Sequence, residues 1–116
     1  MAQKHVLFTF NHAPHGSIWH TEGLRAVVGV TSGIDEHTVD VVYLGDGVYS
    51  ALQGVDHSES TRYLTTIQKL GYFLHVERES LAERGIGEAE IGADIQIVPR
   101  STVLELVQKA DVTIDF

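Results

Sequence analysis

The sequence predicts an α/β chain, a three-layer α/β/α arrangement on a mostly parallel five-stranded sheet, with residues 1–116 forming a single domain. Three observations carry this prediction. Short apolar runs rich in β-branched and aromatic residues alternate with segments of helical period, the order expected of successive βαβ units. The run Val41-Val42-Tyr43-Leu44 has no charge and flows into Gly45-Asp46-Gly47, as a strand buried on both faces does where it meets a sharp strand-to-helix turn. The last residues, Val112-Thr113-Ile114-Asp115-Phe116, again read as a strand, which would build the carboxyl end into the sheet.

The elements follow in order. Lys4 to Phe10 is a first strand, placed centrally because Val6, Leu7 and Phe8 are consecutive apolar residues. A loop punctuated by Pro14 and Gly16 leads to a helix from Ile18 to Ser32. There His20, Leu24, Val27, Val28 and Thr31 share one face, with Ser17 as N-cap and Gly33 as the residue past the end. Thr38 to Leu44 is the second strand, and Asp46 to Leu52 a short helix turning Val48, Ala51 and Leu52 inward. After a polar loop from Gly54 to Glu59, Ser60 to Leu70 is a helix with Tyr63, Leu64, Ile67 and Leu70 on one stripe, ended by Gly71.

Tyr72 to Val76 is the third strand. Ser80-Leu81-Ala82-Glu83 has capping-box spacing, and Gly85 stops that helix after about one turn. Ile86 to Gly92 is irregular. Asp94 to Val98 is the fourth strand, stopped by Pro99. Thr102-Val103-Leu104-Glu105 is a second capping box, opening a helix with Val103, Leu106, Val107 and Ala110 inward. Asp111 to Phe116 is the fifth strand.

Composition narrows the chemistry. The chain has no cysteine, which removes disulfides, thiolate metal sites and a cysteine nucleophile from its own residues. Its formal charge is −8, with 16 acidic against 8 basic side chains, too few cations to build a face for nucleic-acid phosphates. No apolar stretch approaches the roughly 20 residues of a membrane span, and no signal-peptide core follows the first residues. The expectation is a soluble, acidic, cytoplasmic protein without direct nucleic-acid or membrane contacts.

Three groups of residues are candidates for chemistry. Gly45-Asp46-Gly47 offers backbone amides at a helix start, where an anion would be favoured, but Asp46 is itself an anion and can cap them; no phosphate-binding glycine pattern is present. His12, His15 and His20, with Glu22 nearby, carry zinc-ligand chemistry, yet their spacing matches no metal motif, so no metal or other cofactor is assigned. Glu77 and Glu79 at the end of the third strand would suit an acid and base pair, but with Arg78 and Arg84 adjacent, Glu77-Arg78-Glu79 reads more simply as a solvated or ion-paired segment.

Several segments together resemble the DsrE/DsrF/TusC family, and its DsrF/TusC-type subunits in particular. They are Ala13-Pro14-His15-Gly16 leading to Glu22-Gly23-Leu24, and Asp46-Gly47-Val48-Tyr49 with Leu52 and Gly54. Leu70-Gly71, the run from Val76 to Ile86, and the ending from Ala110 to Phe116 complete the set. The resemblance implies sulfur handling: relays that pass persulfide sulfur between cysteines, towards 2-thiouridine in tRNA or within sulfur oxidation. The DsrE/TusD-type subunit carries the accepting cysteine after its third strand. Aligned on Arg84-Gly85, that position is Glu77 here. A carboxylate carries no sulfane sulfur, so the resemblance implies a subunit that is not catalytic by itself.

It further implies assembly with DsrE/TusD-like and DsrH/TusB-like chains in a hexamer of two copies of each, or self-association. Trp19, Tyr49 and Tyr72 are the aromatic candidates for such interfaces. The chain is shorter than some DsrF-type proteins between Ile86 and Val98. The rival expectation is a stand-alone homo-oligomer of the same fold. It would bind a small anion in a strand-end cleft formed by Gly16, Asp46, Gly47 and Glu77.

Overall fold

The computed structural model describes residues 4–13, 19–31, 37–54, 61–69, 74–92 and 94–116. Within them the chain alternates strands and helices. β1 is His5–Phe10, α1 Trp19–Thr31, β2 Thr38–Tyr43, α2 Thr61–Lys69, β3 Leu74–Glu77, α3 Arg78–Glu83, β4 Ile95–Val98, α4 Arg100–Lys109 and β5 Val112–Asp115. A 3₁₀ turn over Gly45–Ala51 follows β2, and a shorter one over Glu88–Glu90 follows α3. The expected caps at Ser17 and Gly33, the stop at Gly71, and the residues Gly16, His15 and Tyr72 lie outside the described residues.

The five strands form one sheet in the order β4-β3-β2-β1-β5, and all four pairings are parallel. β2 is therefore the middle strand, with β1 beside it in the interior, and β5 is an edge. Parallel neighbours need a crossover, and here each crossover carries a helix. The last is the longest in space, because α4 must travel from the β4 edge to the β5 edge.

Alternation along each strand sorts the side chains into two layers. Val6, Phe8 and Phe10 of β1, Val39, Val41 and Tyr43 of β2, and Leu74 and Val76 of β3 join the larger cluster with Leu24 and Val27 of α1 and Ile67 of α2. On the opposite face, Leu7 and Val42 pack against Val103 of α4, with Leu44, Val98, Leu106 and Ala110 around them. Helices thus cover both faces, but unequally. The second face also carries polar pairs: His5 with the carboxylate of Asp40, and Thr9 donating to Asp115.

Several expectations need correction. Neither capping box caps. α3 begins at Arg78, two residues before Ser80, and α4 begins at Arg100, directly after Pro99, whose carbonyl accepts from the amides of Thr102 and Val103. Val107 is 43% exposed rather than inward, since α4 meets the sheet mainly through Val103. The stretch after Gly85 is not wholly irregular: Ile91 is buried and bridges Leu52 in antiparallel sense. The segment after β2 is a helix as expected, wound as 3₁₀, with Val48 and Ala51 buried and Leu52 half-buried.

The turn after β2 is set by a close approach. A Cβ built on Gly47 would stand 1.8 Å from the carbonyl oxygen of Phe10, while the Leu44 amide donates to that same carbonyl at 2.9 Å. Gly45 differs, having a left-handed φ of +51° but only ordinary van der Waals neighbours around a built Cβ, the nearest being the Arg84 guanidinium at 3.7 Å. Gly47→Ala is therefore expected to destabilise by about 3 kcal/mol or more, because backbone must move, and Gly45→Ala by only about 1 kcal/mol. Urea unfolding of the two variants beside the wild type measures the difference; equal losses would remove the close-approach account.

Candidate functional site

The segments that follow β2, β3 and β4 meet around Glu77. It is the last residue of β3 and stands opposite Val98 of β4. The β alternation turns its side chain to the α4 face, where it is only 5% exposed. A buried carboxylate requires donors, and two reach the same Oε1: the Ser80 hydroxyl at 2.6 Å and the Arg100 guanidinium at 2.8 Å. Ser80 lies in the first turn of α3, three residues on, which brings its Oγ back over Glu77. Its oxygen also accepts from the Gly45 amide at 3.1 Å, so the turn after β2 is tied to the end of β3 through one hydroxyl.

Arginines complete the network. Arg100 opens α4; its own amide donates to Glu79 at 2.8 Å and its guanidinium also reaches Glu83 at 3.2 Å. Arg84, just past α3, donates to Asp46 at 3.1 Å and to the Ser80 carbonyl at 3.1 Å. Arg78 pairs instead with Glu88 at 3.3 Å. Burial raises the Glu77 carboxyl, but the hydrogen bonds from Arg100 and Ser80 and the charges of Arg100 and Arg84 outweigh it, leaving the group below its ordinary value. The Arg100 guanidinium is held protonated above its ordinary value, chiefly by its hydrogen bonds to Glu77 and Glu83.

Of the residues expected in a strand-end cleft, the fold brings Asp46, Gly47 and Glu77 to one end of the sheet, linked through Arg84, Ser80 and Gly45; Gly16 lies outside the described residues. Glu77 and Arg78 are ion-paired, with Arg100 and Glu88, while Glu79 accepts from the Arg100 amide. Glu77 itself is not solvated, and its cation is Arg100, which sequence neighbourhood did not single out. Among the described residues, no three His, Asp or Glu side chains gather as a metal-sized group. His20 is a core residue: it is 4% exposed, 3.2 Å from the Tyr43 hydroxyl, and meets Phe10 edge-on. Burial pushes the Tyr43 phenol up, which keeps it neutral. His12 stacks on Trp19, with ring centroids 5.5 Å apart.

A carboxyl lowered by folding contributes stability above its unfolded value, and that contribution is lost as pH falls through the folded value. At neutral pH, Glu77→Gln is expected to cost about 1–3 kcal/mol, the range for hydrogen bonds to a charged group. The gap from wild type should stay flat from neutrality to about pH 5 and close below about pH 4, since an unperturbed glutamate titrates near 4.3. Denaturant melts across that range measure it, and a gap that widens in acid would reverse the assignment.

With this geometry in place, comparisons locate the chain among known proteins. A family profile described as the DsrE/DsrF-like family matches residues 4–116. A TusC homolog of Vibrio parahaemolyticus is 31% identical over 96% of this chain and 98% of its own length. Protein TusC of Buchnera aphidicola subsp. Baizongia pistaciae is 28% identical over 97% and 99%, and that of Escherichia coli O8 is 34% identical over 72% and 73%. In three dimensions the ychN protein of E. coli superposes with a TM-score of 0.81 at 18% identity, covering 99% of this chain and all of that one. A protein of unknown function from Methanobacterium thermoautotrophicum gives 0.78 at 11%, covering 98% of this chain and all of the other. The chain belongs to the DsrE/DsrF-like family.

Proposed function

We propose that this chain is a cysteine-free, non-catalytic subunit of a cytoplasmic sulfur-relay complex, built as a single domain and related to the TusC proteins it resembles. The observation that carries the reading is the buried Glu77 carboxylate. Sulfur relay needs a thiolate that can attack a persulfide, be reached by its partner, and release the sulfur again. The sequence has no cysteine. The resemblance to the family puts its accepting cysteine at Glu77, and there this chain has a carboxylate, 5% exposed and closed over by Ser80 and Arg100. Such a position supports shape and charge at a strand end, not sulfur transfer. Similarity to TusC over nearly the whole length favours the branch serving 2-thiouridine formation in tRNA over sulfur oxidation.

Partners in this reading are cysteine-bearing DsrE/TusD-like and DsrH/TusB-like chains. Surface for them is available: Trp19 is 46% exposed, and Leu104 and Val107, one turn apart on α4, are 57% and 43% exposed. The rival, a homo-oligomer holding a small anion at the strand ends, has less support. Arg100 is already matched by Glu77 and Arg84 by Asp46, so the cations nearest that end are neutralised within the chain.

Incubated with a persulfide donor, the purified chain should gain no sulfur, and intact mass spectrometry reads this directly: a stable +32 adduct would overturn the reading. Co-expression with the cysteine-bearing relatives should give a defined hetero-oligomer by light scattering. Leu104→Glu with Val107→Glu should weaken that assembly at least tenfold, about 1.4 kcal/mol, while leaving the isolated chain folded. A chain that forms the same closed oligomer alone would favour the rival.

A further inference from the structure

β5 is an edge of the sheet, and among the described residues no strand pairs with its outer side. The outward half of its backbone donors and acceptors is therefore open, a template for one more strand. Soluble chains commonly blunt such edges with lysine or proline, and Val112–Asp115 has neither. The flank of this edge is apolar. Val112 and Ile114 stand in register beside Val6 and Phe8, so they point to the α1 face. Phe116 continues that side, stacked near Phe8 and Phe10 with ring centroids 6.3 and 5.9 Å away. Above it lie Trp19, whose ring is 6.5 Å from that of Phe116, and Gly23, on which a built Cβ would stand 3.0 Å from the Phe116 ring. Ala26 and Val30 continue the same stripe of α1 at helical spacing. Among the described residues, the exposed large apolar side chains include Trp19 and Val112 of this edge and none of the β4 edge.

The strand also fits its own reverse. In an antiparallel pair centred on Ile114, that residue meets its copy, Val112 meets Phe116 of the second copy, and Thr113 meets Asp115 of the second copy on the other face. Apolar then lies against apolar, and hydroxyl against carboxylate repeats the bond that Thr9 already donates to Asp115. Centring on Thr113 instead sets Asp111 against Asp115, two carboxylates. A two-fold interface needs such self-complementarity. We infer that the outer edge of β5 is a docking surface for a second copy of this chain, joined antiparallel about Ile114 with the Trp19 stripes of the two α1 helices over the seam. The inference does not rest on the sulfur-relay reading, and it leaves Leu104 and Val107 of α4 for unlike chains.

The chain has no cysteine, so a single introduced one reports the seam. Directly opposed residues of an antiparallel pair have Cα atoms about 4.5–5.5 Å apart, within disulfide reach. Under mild oxidation with diamide, Ile114→Cys should therefore cross-link to a covalent dimer at least tenfold faster than Thr113→Cys. Random collision would give the reverse, since Thr113 is the more exposed of the two. In sedimentation velocity from about 10 µM to 1 mM, a range that brackets a small interface, the wild type should pass from monomer to dimer. Raising the salt from about 50 to 500 mM should strengthen the dimer, because each copy carries −8. Val112→Lys should weaken association at least tenfold, although it lowers the like charge between copies, and leave the circular dichroism spectrum unchanged. A chain that stays monomeric throughout, and associates only with an unlike basic partner that salt releases, overturns the inference. So does wild-type association of Val112→Lys, or Thr113→Cys cross-linking as fast as Ile114→Cys.

Discussion

The approach of Gly47 to the Phe10 carbonyl is the constraint on which the strand-end architecture rests. That carbonyl ends β1, accepts from the Leu44 amide, and leaves no space for a side chain on Gly47. The turn after β2 is thereby pressed against the end of β1, and Gly45 is left with its amide facing Ser80. The Ser80 hydroxyl then donates a hydrogen bond to Glu77, and Glu77 accepts another from Arg100 at the start of α4. One sequence of contacts thus joins the ends of β1, β2 and β3 to the residue that follows β4 and Pro99. Every link except the last is set by backbone or by a short side chain on at least one side. Arg100 supplies reach and charge where the chain has to span from one strand end to the next element.

The unequal layers follow from topology. Successive crossovers carry the chain from β1 through β2 and β3 to β4, with α1 and α2 on the face whose core is largest. The return from the β4 edge to the β5 edge uses α4, which packs on the other face through Val103 against Leu7 and Val42. A ten-residue helix is about 15 Å long and cannot shield five strands, each about 4.8 Å from the next. Beside the apolar stripe under α4 that face accordingly carries two polar pairs, His5 with Asp40 and Thr9 with Asp115. The exposure of Leu104 and Val107 has the same origin: the helix turns only one stripe to the sheet, and among the described residues nothing covers these two.

Periodicity and turn chemistry made the class, the number of strands and the Gly45-Asp46-Gly47 turn legible in the sequence, because those signals are local. The misread helix starts show where locality fails. Ser80 and Thr102 both precede a glutamate by three residues, but a capping box needs the first residue to be outside the helix. Pairing of β3 with β4 through Glu77, and the rigid φ of Pro99, start both helices earlier. The hydroxyl of Ser80, freed from capping, serves Glu77 instead. The partnership of Glu77 with Arg100 spans 23 residues and depends on the β3–β4 register, which no local pattern encodes. Strand order is equally non-local, and the inward assignment of Val107 failed because α4 meets the sheet through Val103, Leu106 and Ala110 and turns Val107 away from it.

A carboxylate at the end of β3 has consequences that do not depend on what the chain is for. It is a permanent anion: its lowered titration keeps it charged through the neutral range, whereas a thiol in that place would change charge with pH and oxidation. Two donors converge on one oxygen, so the geometry is fixed by charge and not only by packing. Replacing that anion by a neutral group leaves Arg100 with Glu83 alone and leaves the Ser80 proton without its strongest acceptor. The strand end would then lose the link between β3 and α4 while keeping the link between Gly45 and Ser80. The glutamate is therefore a fastener between α3, through Ser80, and α4, through Arg100.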